Sequence, residues 1–256
     1  MPDRTFRVWR GDGSGGRFVE HVVEVDPGMV VLDVIHRIQA RQANDLAVRW
    51  NCKAGKCGSC SMEINGKPRL ACMTRMNQFR PHEVITVQPL KTFPIVKDLV
   101  TDVGWNYEQN RRIPPFRPGA RGADGQYRMM QQDVDRVQEF RKCIECFLCQ
   151  DVCHVLRDQG GRREFVGPRF MIRLASLEMH PLDVADRIPA IRRDFGSGMC
   201  NITRCCTEVC PEQIGITDNG IIPLKERVVD RFYDPLRWLG RVLFGAGRAP
   251  REESHR

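Results

Sequence analysis

Three runs of cysteine carry the chemistry this chain can do, because thiols at short fixed spacings can be gathered around metal. In "CKAGKCGSC", Cys52, Cys57 and Cys60 are separated by four and then two residues, and Cys72 follows in "RLAC". In "CIECFLCQDVCH", Cys143, Cys146, Cys149 and Cys153 are separated by two, two and three. In "CNITRCCTEVCP", Cys200, Cys206 and Cys210 keep three positions of that second pattern, while Thr203 stands at its second position and Cys205 is extra. These runs hold all twelve cysteines of the 256 residues. No charged-then-apolar leader opens the sequence, and apolar runs such as "VVLDVI" are far too short to cross a bilayer. The chain therefore reads as intracellular, soluble or peripheral. Disulfides rarely persist there, so the thiols point to metal or redox chemistry.

The first spacing, CxxxxCxxC with a fourth cysteine further on, is the plant-type pattern for a 2Fe-2S cluster. Such a cluster is small, so three thiolates must converge from one tight loop while the fourth arrives from the following hairpin. Gly55 and Gly58 let the loop backbone approach the cluster and offer amides to its sulfurs. A structural zinc site is the competing reading, but zinc motifs usually come as two CxxC pairs.

The second spacing, CxxCxxCxxxC, is the bacterial 4Fe-4S pattern, and the third run is a degenerate copy ending in Cys210-Pro211. In a two-cluster arrangement the first three positions of a run hold one cluster and the fourth ligates the other. That rule assigns Cys143, Cys146, Cys149 and Cys210 to a 4Fe-4S cluster. It leaves Cys153, Cys200 and Cys206 for the other site, three thiolates that suit a 3Fe-4S cluster because Thr203 cannot replace the missing cysteine. Cys205 lies outside the spacing, and its thiol is expected to point elsewhere; a plain buried cysteine, a residue tuning a nearby cluster and an alternative ligand all remain open.

The formal charge is +8, with arginine greatly outnumbering lysine. That would ordinarily suggest nucleic acid or an anionic membrane surface. Three oxidised clusters at about −2 each would leave roughly +2, so the basic excess needs no nucleic acid. "GDGSGG" lies between strand patterns with no helix after it and reads as a hairpin, so the chain has no dinucleotide fingerprint and no visible flavin site.

The elements that position these thiols divide near the middle. "TFRVW" and "RFVEHVVEV" alternate as strands, Asn65-Gly66 marks a hairpin, and "VVLDVIHRIQARQ" places Val31, Ile35 and Ile38 on one helical face. The Pro-, Gly- and Arg-rich residues 104–129 read as a linker, and "DVDRVQEFRK", "GPRFMIRLASLEMH" and "PLKERVVDRFYD" read as helices. The expected fold class is α+β. A β-grasp plant-type 2Fe-2S ferredoxin domain (1–103) precedes the linker and an α-helical, bacterial-ferredoxin-like domain (130–246), with a disordered tail at 247–256.

"RWNCKAGKCGSC", "NGKPRLAC", "PLKTFPIVKDLVTD", "RKCIECFLCQDVC", "GPRFMIRLA" and "CCTEVCP" together resemble the iron-sulfur subunit of succinate dehydrogenase and fumarate reductase, most closely its actinobacterial version. The resemblance implies a subunit of succinate dehydrogenase (quinone) that relays single electrons from an FAD-containing flavoprotein subunit through 2Fe-2S, 4Fe-4S and 3Fe-4S clusters to quinone. It implies a membrane-anchor subunit of cytochrome b type, a peripheral place on the cytoplasmic face of the plasma membrane, and substrate oxidation on another subunit, with no catalytic residue here. Fumarate reduction by the same relay run backwards, or a free-standing multi-cluster carrier, are the alternatives.

The sequence departs from better-known members after Cys153, where it has His154, Val155 and Leu156, and after Cys200, where it has Asn201. Those members have a proline with tryptophans and a histidine there, groups associated with quinone, so the quinone residues stay unassigned. His154 is left between a role near the three-iron cluster or anchor and a bond to local backbone. Near the C-terminus Leu236, Leu239, Val242 and Leu243 share a helical face beside Trp238, which packs on its own domain or docks at the anchor.

Overall fold

The computed structural model describes residues 3–157 and 164–235. The alternating stretches form β1 (Asp3–Asp12) and β2 (Gly15–Glu24), paired antiparallel from Asp3 opposite Glu24 to Asp12 opposite Gly15. Alternation turns Phe6 and Val8 of β1 into the core. Asn65 (φ 49°) and Gly66 (φ 74°) make the two-residue turn that joins β3 (Ser61–Ile64) to β4 (Lys67–Leu70), the left-handed pair such a hairpin requires. With β5 (Ile85–Gln88) these strands form one sheet in the order β2-β1-β5-β3-β4, parallel only between β1 and β5. Helix α1 (Val31–Arg41) buries Val31, Leu32, Val34, Ile35 and Ile38 in that sheet's core, and Asp33 accepts the amide of Val30 at its start (3.1 Å). A mixed sheet holding one helix is the expected β-grasp.

Beyond the sheet, a small hairpin of β6 (Ile95–Lys97) and β7 (Val100–Thr101) is anchored by buried Asp98, which accepts from the amides of Gly11 (3.0 Å) and Ala47 (2.9 Å). Residues 104–129, read from sequence as a linker, open instead as helix α2 (Gly104–Arg112), with Asn106 and Gln109 buried. The strap after it is pinned by Arg187, fully buried, which donates to the carbonyls of Pro114 (3.0 Å) and Pro115 (2.6 Å) and pairs with Asp183 (2.9 Å).

The second half is helical: α3 (Gln131–Gln138), α4 (Leu148–Val152), α5 (His154–Arg157), α6 (Pro168–Glu178), α7 (Ile188–Arg193), α8 (Cys205–Glu208) and α9 (Ile222–Phe232). Helix α6 supplies its core through Phe170, Met171, Ile172, Leu174 and Leu177. Buried apolar residues of both halves form one continuous cluster, crossed by the edge-on pair of Phe93 and Phe147. A buried polar clamp adds to it. Arg157 of α5 pairs with Asp151 of α4 (2.8 Å) and with Glu63 of β3, while Thr92 donates its amide to Asp151 (3.0 Å). Among the described residues no helix is long and apolar enough to cross a membrane. The C-terminal face around Trp238 and the tail at 247–256 lie outside the described residues.

Candidate iron-sulfur centres

The first thiol group sits on the loop that enters β3. Positive φ at Lys53 (55°), Gly55 (68°) and Gly58 (70°) coils the loop so that its amides turn onto sulfur. Ala54 and Lys56 donate to Cys52 Sγ (3.4 and 3.3 Å), Cys52 to Cys57 Sγ (3.5 Å) and Cys72 to Cys60 Sγ (3.4 Å). Cys52 is exposed while Cys60 and Cys72 are buried, so one edge of the group faces solvent. Burial pushes the Cys57 thiol up, but hydrogen bonds from Ser59 and the Cys52 amide outweigh it and bring it down to about 7. Burial dominates at Cys60, pushed up to about 12.

Cys143, Cys146, Cys149 and Cys210, four thiols brought together from two distant runs, line one cavity of about 390 Å³ that is partly open to solvent. Ile214 donates its amide to Cys210 Sγ (3.4 Å). Burial pushes Cys146 up to about 12 and Cys149 well above the ordinary thiol range. Arg169 lines the same cavity, paired with Glu145, and its Nε is a buried donor without a partner.

Cys153, Cys200 and Cys206 line a second cavity of about 300 Å³ together with Thr203 and Cys205. Burial pushes Cys153 and Cys206 up to about 11, and Thr217 Oγ1 lies 3.4 Å from Cys206 Sγ. The two tandem runs share one backbone. Glu145 (φ 56°) and Phe147 (60°) flank Cys146 in left-handed conformation, as Ile202 (64°) and Arg204 (64°) flank Thr203. Phe147 then starts α4 and Arg204 starts α8. Thr203 thus holds the place that Cys146 holds in the first run. A left-handed β-branched residue such as Ile202 costs about 1–3 kcal/mol and persists only where its surroundings dictate the turn.

One sequence expectation is corrected here. The Cys205 thiol does not point elsewhere: it is half-buried, lines the second cavity and lies 3.3 Å from Thr203 Oγ1. The helix phase set by left-handed Arg204 turns it inward. The His154 Nε2 lies 2.8 Å from the Asn201 side chain, and both residues line that cavity.

Sequence reasoning missed the contacts between groups, since nothing in a local spacing signals them. Gly58 abuts the backbone of Cys146, the Ser61 hydroxyl lies 2.8 Å from the Cys146 carbonyl, and Lys56 pairs with Glu212 (3.2 Å). The donors fit iron-sulfur clusters. They are soft thiols lining voids. Buried thiols held neutral release their protons when metal takes the proton's place, and a bound cluster would offer sulfide acceptors to the cavity that Arg169 lines with its unpaired Nε.

Comparison with known proteins agrees with this arrangement. Residues 5–107 match a family model described as a 2Fe-2S iron-sulfur cluster binding domain, and residues 139–214 one described as a 4Fe-4S dicluster domain. A chain of the Mycobacterium smegmatis Sdh1 complex in the apo form is 63% identical, with a TM-score of 0.88 over 91% of this chain and 98% of that one. The fumarate reductase iron-sulfur subunit of Mycobacterium tuberculosis is 31% identical over 82% of this chain and 84% of its own length. The succinate dehydrogenase iron-sulfur subunit of Paracoccus denitrificans is 28% identical over 89% of each. An uncharacterized iron-sulfur protein of Methanococcus maripaludis is longer, and the 30% identical match spans 42% of it.

Fold and site define an electron-transfer protein of the ferredoxin kind, with a plant-type half joined to a dicluster half. The chain belongs to the family of succinate dehydrogenase and fumarate reductase iron-sulfur subunits.

Proposed function

We propose that this chain relays single electrons from an FAD-containing flavoprotein subunit to quinone at a membrane-anchor subunit of cytochrome b type, as part of a succinate:quinone oxidoreductase. In this reading Cys52, Cys57, Cys60 and Cys72 hold a 2Fe-2S cluster, and Cys143, Cys146, Cys149 and Cys210 a 4Fe-4S cluster. Cys153, Cys200 and Cys206 hold a 3Fe-4S cluster. Each cluster, when bound, supplies a centre that takes up and gives back one electron. The chain's own part is to fix the order of these centres, exclude water from their inner faces and offer amides to their sulfurs.

The observation that carries the reading is that the three thiol-bearing segments pack in series. Gly58 abuts Cys146, and α4, which carries Cys149, packs on α8, which carries Cys206. The reading divides the chain into a 2Fe-2S unit (1–103), a connection (104–129) and a dicluster unit (130–246), attached peripherally at the cytoplasmic face of the membrane. Relatives bear both names, succinate dehydrogenase and fumarate reductase. The same contacts conduct either way, so the potential of the quinone sets the direction.

The test is reconstitution. The purified, cluster-loaded chain should oxidise no succinate with artificial dyes, yet should restore quinone reduction to a complex depleted of it. Dye-linked activity of the chain alone overturns the reading.

A further inference from the structure

The tandem runs differ by a displaced thiol. Where the first has Cys146 and Leu148, the second has Thr203 and Cys205. Leu148 is buried in the core, whereas Cys205 at the equivalent place in α8 lines the cavity shared by Cys153, Cys200 and Cys206. Its sulfur lies 3.3 Å from Thr203 Oγ1, the side chain at the corner where a fourth ligand would attach. Four thiols and one hydroxyl therefore surround a site to which the function above assigns three ligands.

We propose that Cys205 is an inducible fourth ligand, which lets the third centre bind one ferrous ion and pass from a three-iron to a four-iron form. This rests on the three-iron reading above. The step balances without an added oxidant or reductant. One electron from the relay makes the three-iron core neutral, and a ferrous ion added to a neutral core gives the dicationic four-iron core. Cys205 forms the new iron-sulfur bond and its proton leaves to solvent. A four-iron core is harder to reduce than the all-ferric one, so iron uptake slows the last step of the relay. Cys205 thus makes electron exit sensitive to free ferrous iron.

The experiment uses the whole complex and electron paramagnetic resonance. The complex is reduced anaerobically with isotopically enriched ferrous salt, desalted and examined in the state where the three-iron core alone would be paramagnetic. Wild type should lose at least about tenfold of its near-isotropic signal and show one enriched, thiolate-bound iron per chain by Mössbauer spectroscopy, while Thr203→Val should convert equally. Cys205→Ala should keep the signal through the same treatment, with the 2Fe-2S and 4Fe-4S signals reporting that it is folded. Wild type that takes up no enriched iron overturns the inference on its own, whatever the variant does. So does conversion of Cys205→Ala, which makes water or Thr203 the ligand. A signal absent from wild type before treatment overturns the three-iron reading instead; in that case its appearance in Cys205→Ala upholds Cys205 as a ligand, and its continued absence overturns that too.

Discussion

Gly58 of the first thiol loop and Cys146 of the second run are packed so tightly that a Cβ on Gly58 would lie 2.5 Å from Cys146 Cα. Backbone meets backbone there, and no side chain can move aside. The contact also needs the left-handed φ of 70° at Gly58, which an L side chain rarely adopts. One glycine thus sets how closely the first two centres approach.

Gly58→Ala should destabilise the protein by roughly 1–3 kcal/mol, from backbone strain and the displaced neighbour. It should also slow reduction of the 4Fe-4S centre by the 2Fe-2S centre. Thermal unfolding checks the first effect and freeze-quench paramagnetic resonance the second; an unchanged transfer rate would remove Gly58 from the electron path.

Arg157 spans the halves by pairing with Glu63 and Asp151, two fully buried carboxylates. Arg157→Met should cost roughly 3 kcal/mol, because it takes the ion-pair partner from buried Asp151, while Glu63 keeps Lys91 at 3.5 Å. Denaturant unfolding measures it. A loss below about 1 kcal/mol, the range of exposed pairs, would mean the clamp is wet in solution.

Arg169 lines the cavity of Cys143, Cys146, Cys149 and Cys210 and pairs with the more exposed Glu145. A nearby positive charge favours the reduced, more negative cluster. Arg169→Gln should therefore lower the midpoint potential of the 4Fe-4S centre, by no more than about 60 mV, a tenfold change for a one-electron couple. Redox titration followed by paramagnetic resonance gives the value, and an upward shift contradicts the placement.

Thr203→Cys restores the full CxxCxxCxxxCP run on a backbone that already has the ferredoxin conformation at Ile202 and Arg204. The near-isotropic signal of the oxidised three-iron core should disappear, the site should become harder to reduce, and quinone reduction should slow. In the as-prepared protein Cys206→Ser should eliminate that signal, whereas Cys205→Ser should leave all three. Four irons at this site in the wild type as prepared would contradict the pairing of the runs.

The sequence alone determined what is local. Cysteine spacing marks each run as a cluster-binding loop because three thiolates must converge from one short stretch of chain. Asn65-Gly66 and the apolar face of Val31, Ile35 and Ile38 likewise fix a hairpin and a helix through backbone preference and period. The α+β class followed from those elements. Tertiary structure decided everything that joins distant residues or depends on side-chain direction. The approach of Gly58 to Cys146 and the placing of Arg169 beside a cavity come from packing between segments far apart in the chain. Helix α2 occupies the proline-free start of the stretch rich in Pro, Gly and Arg and is held to the second half by Gln150, which donates to Asn106 (3.3 Å), and by Trp105 edge-on to Phe170. Cys205 turns inward because left-handed Arg204 sets the phase of a one-turn helix, and no spacing rule carries that angle.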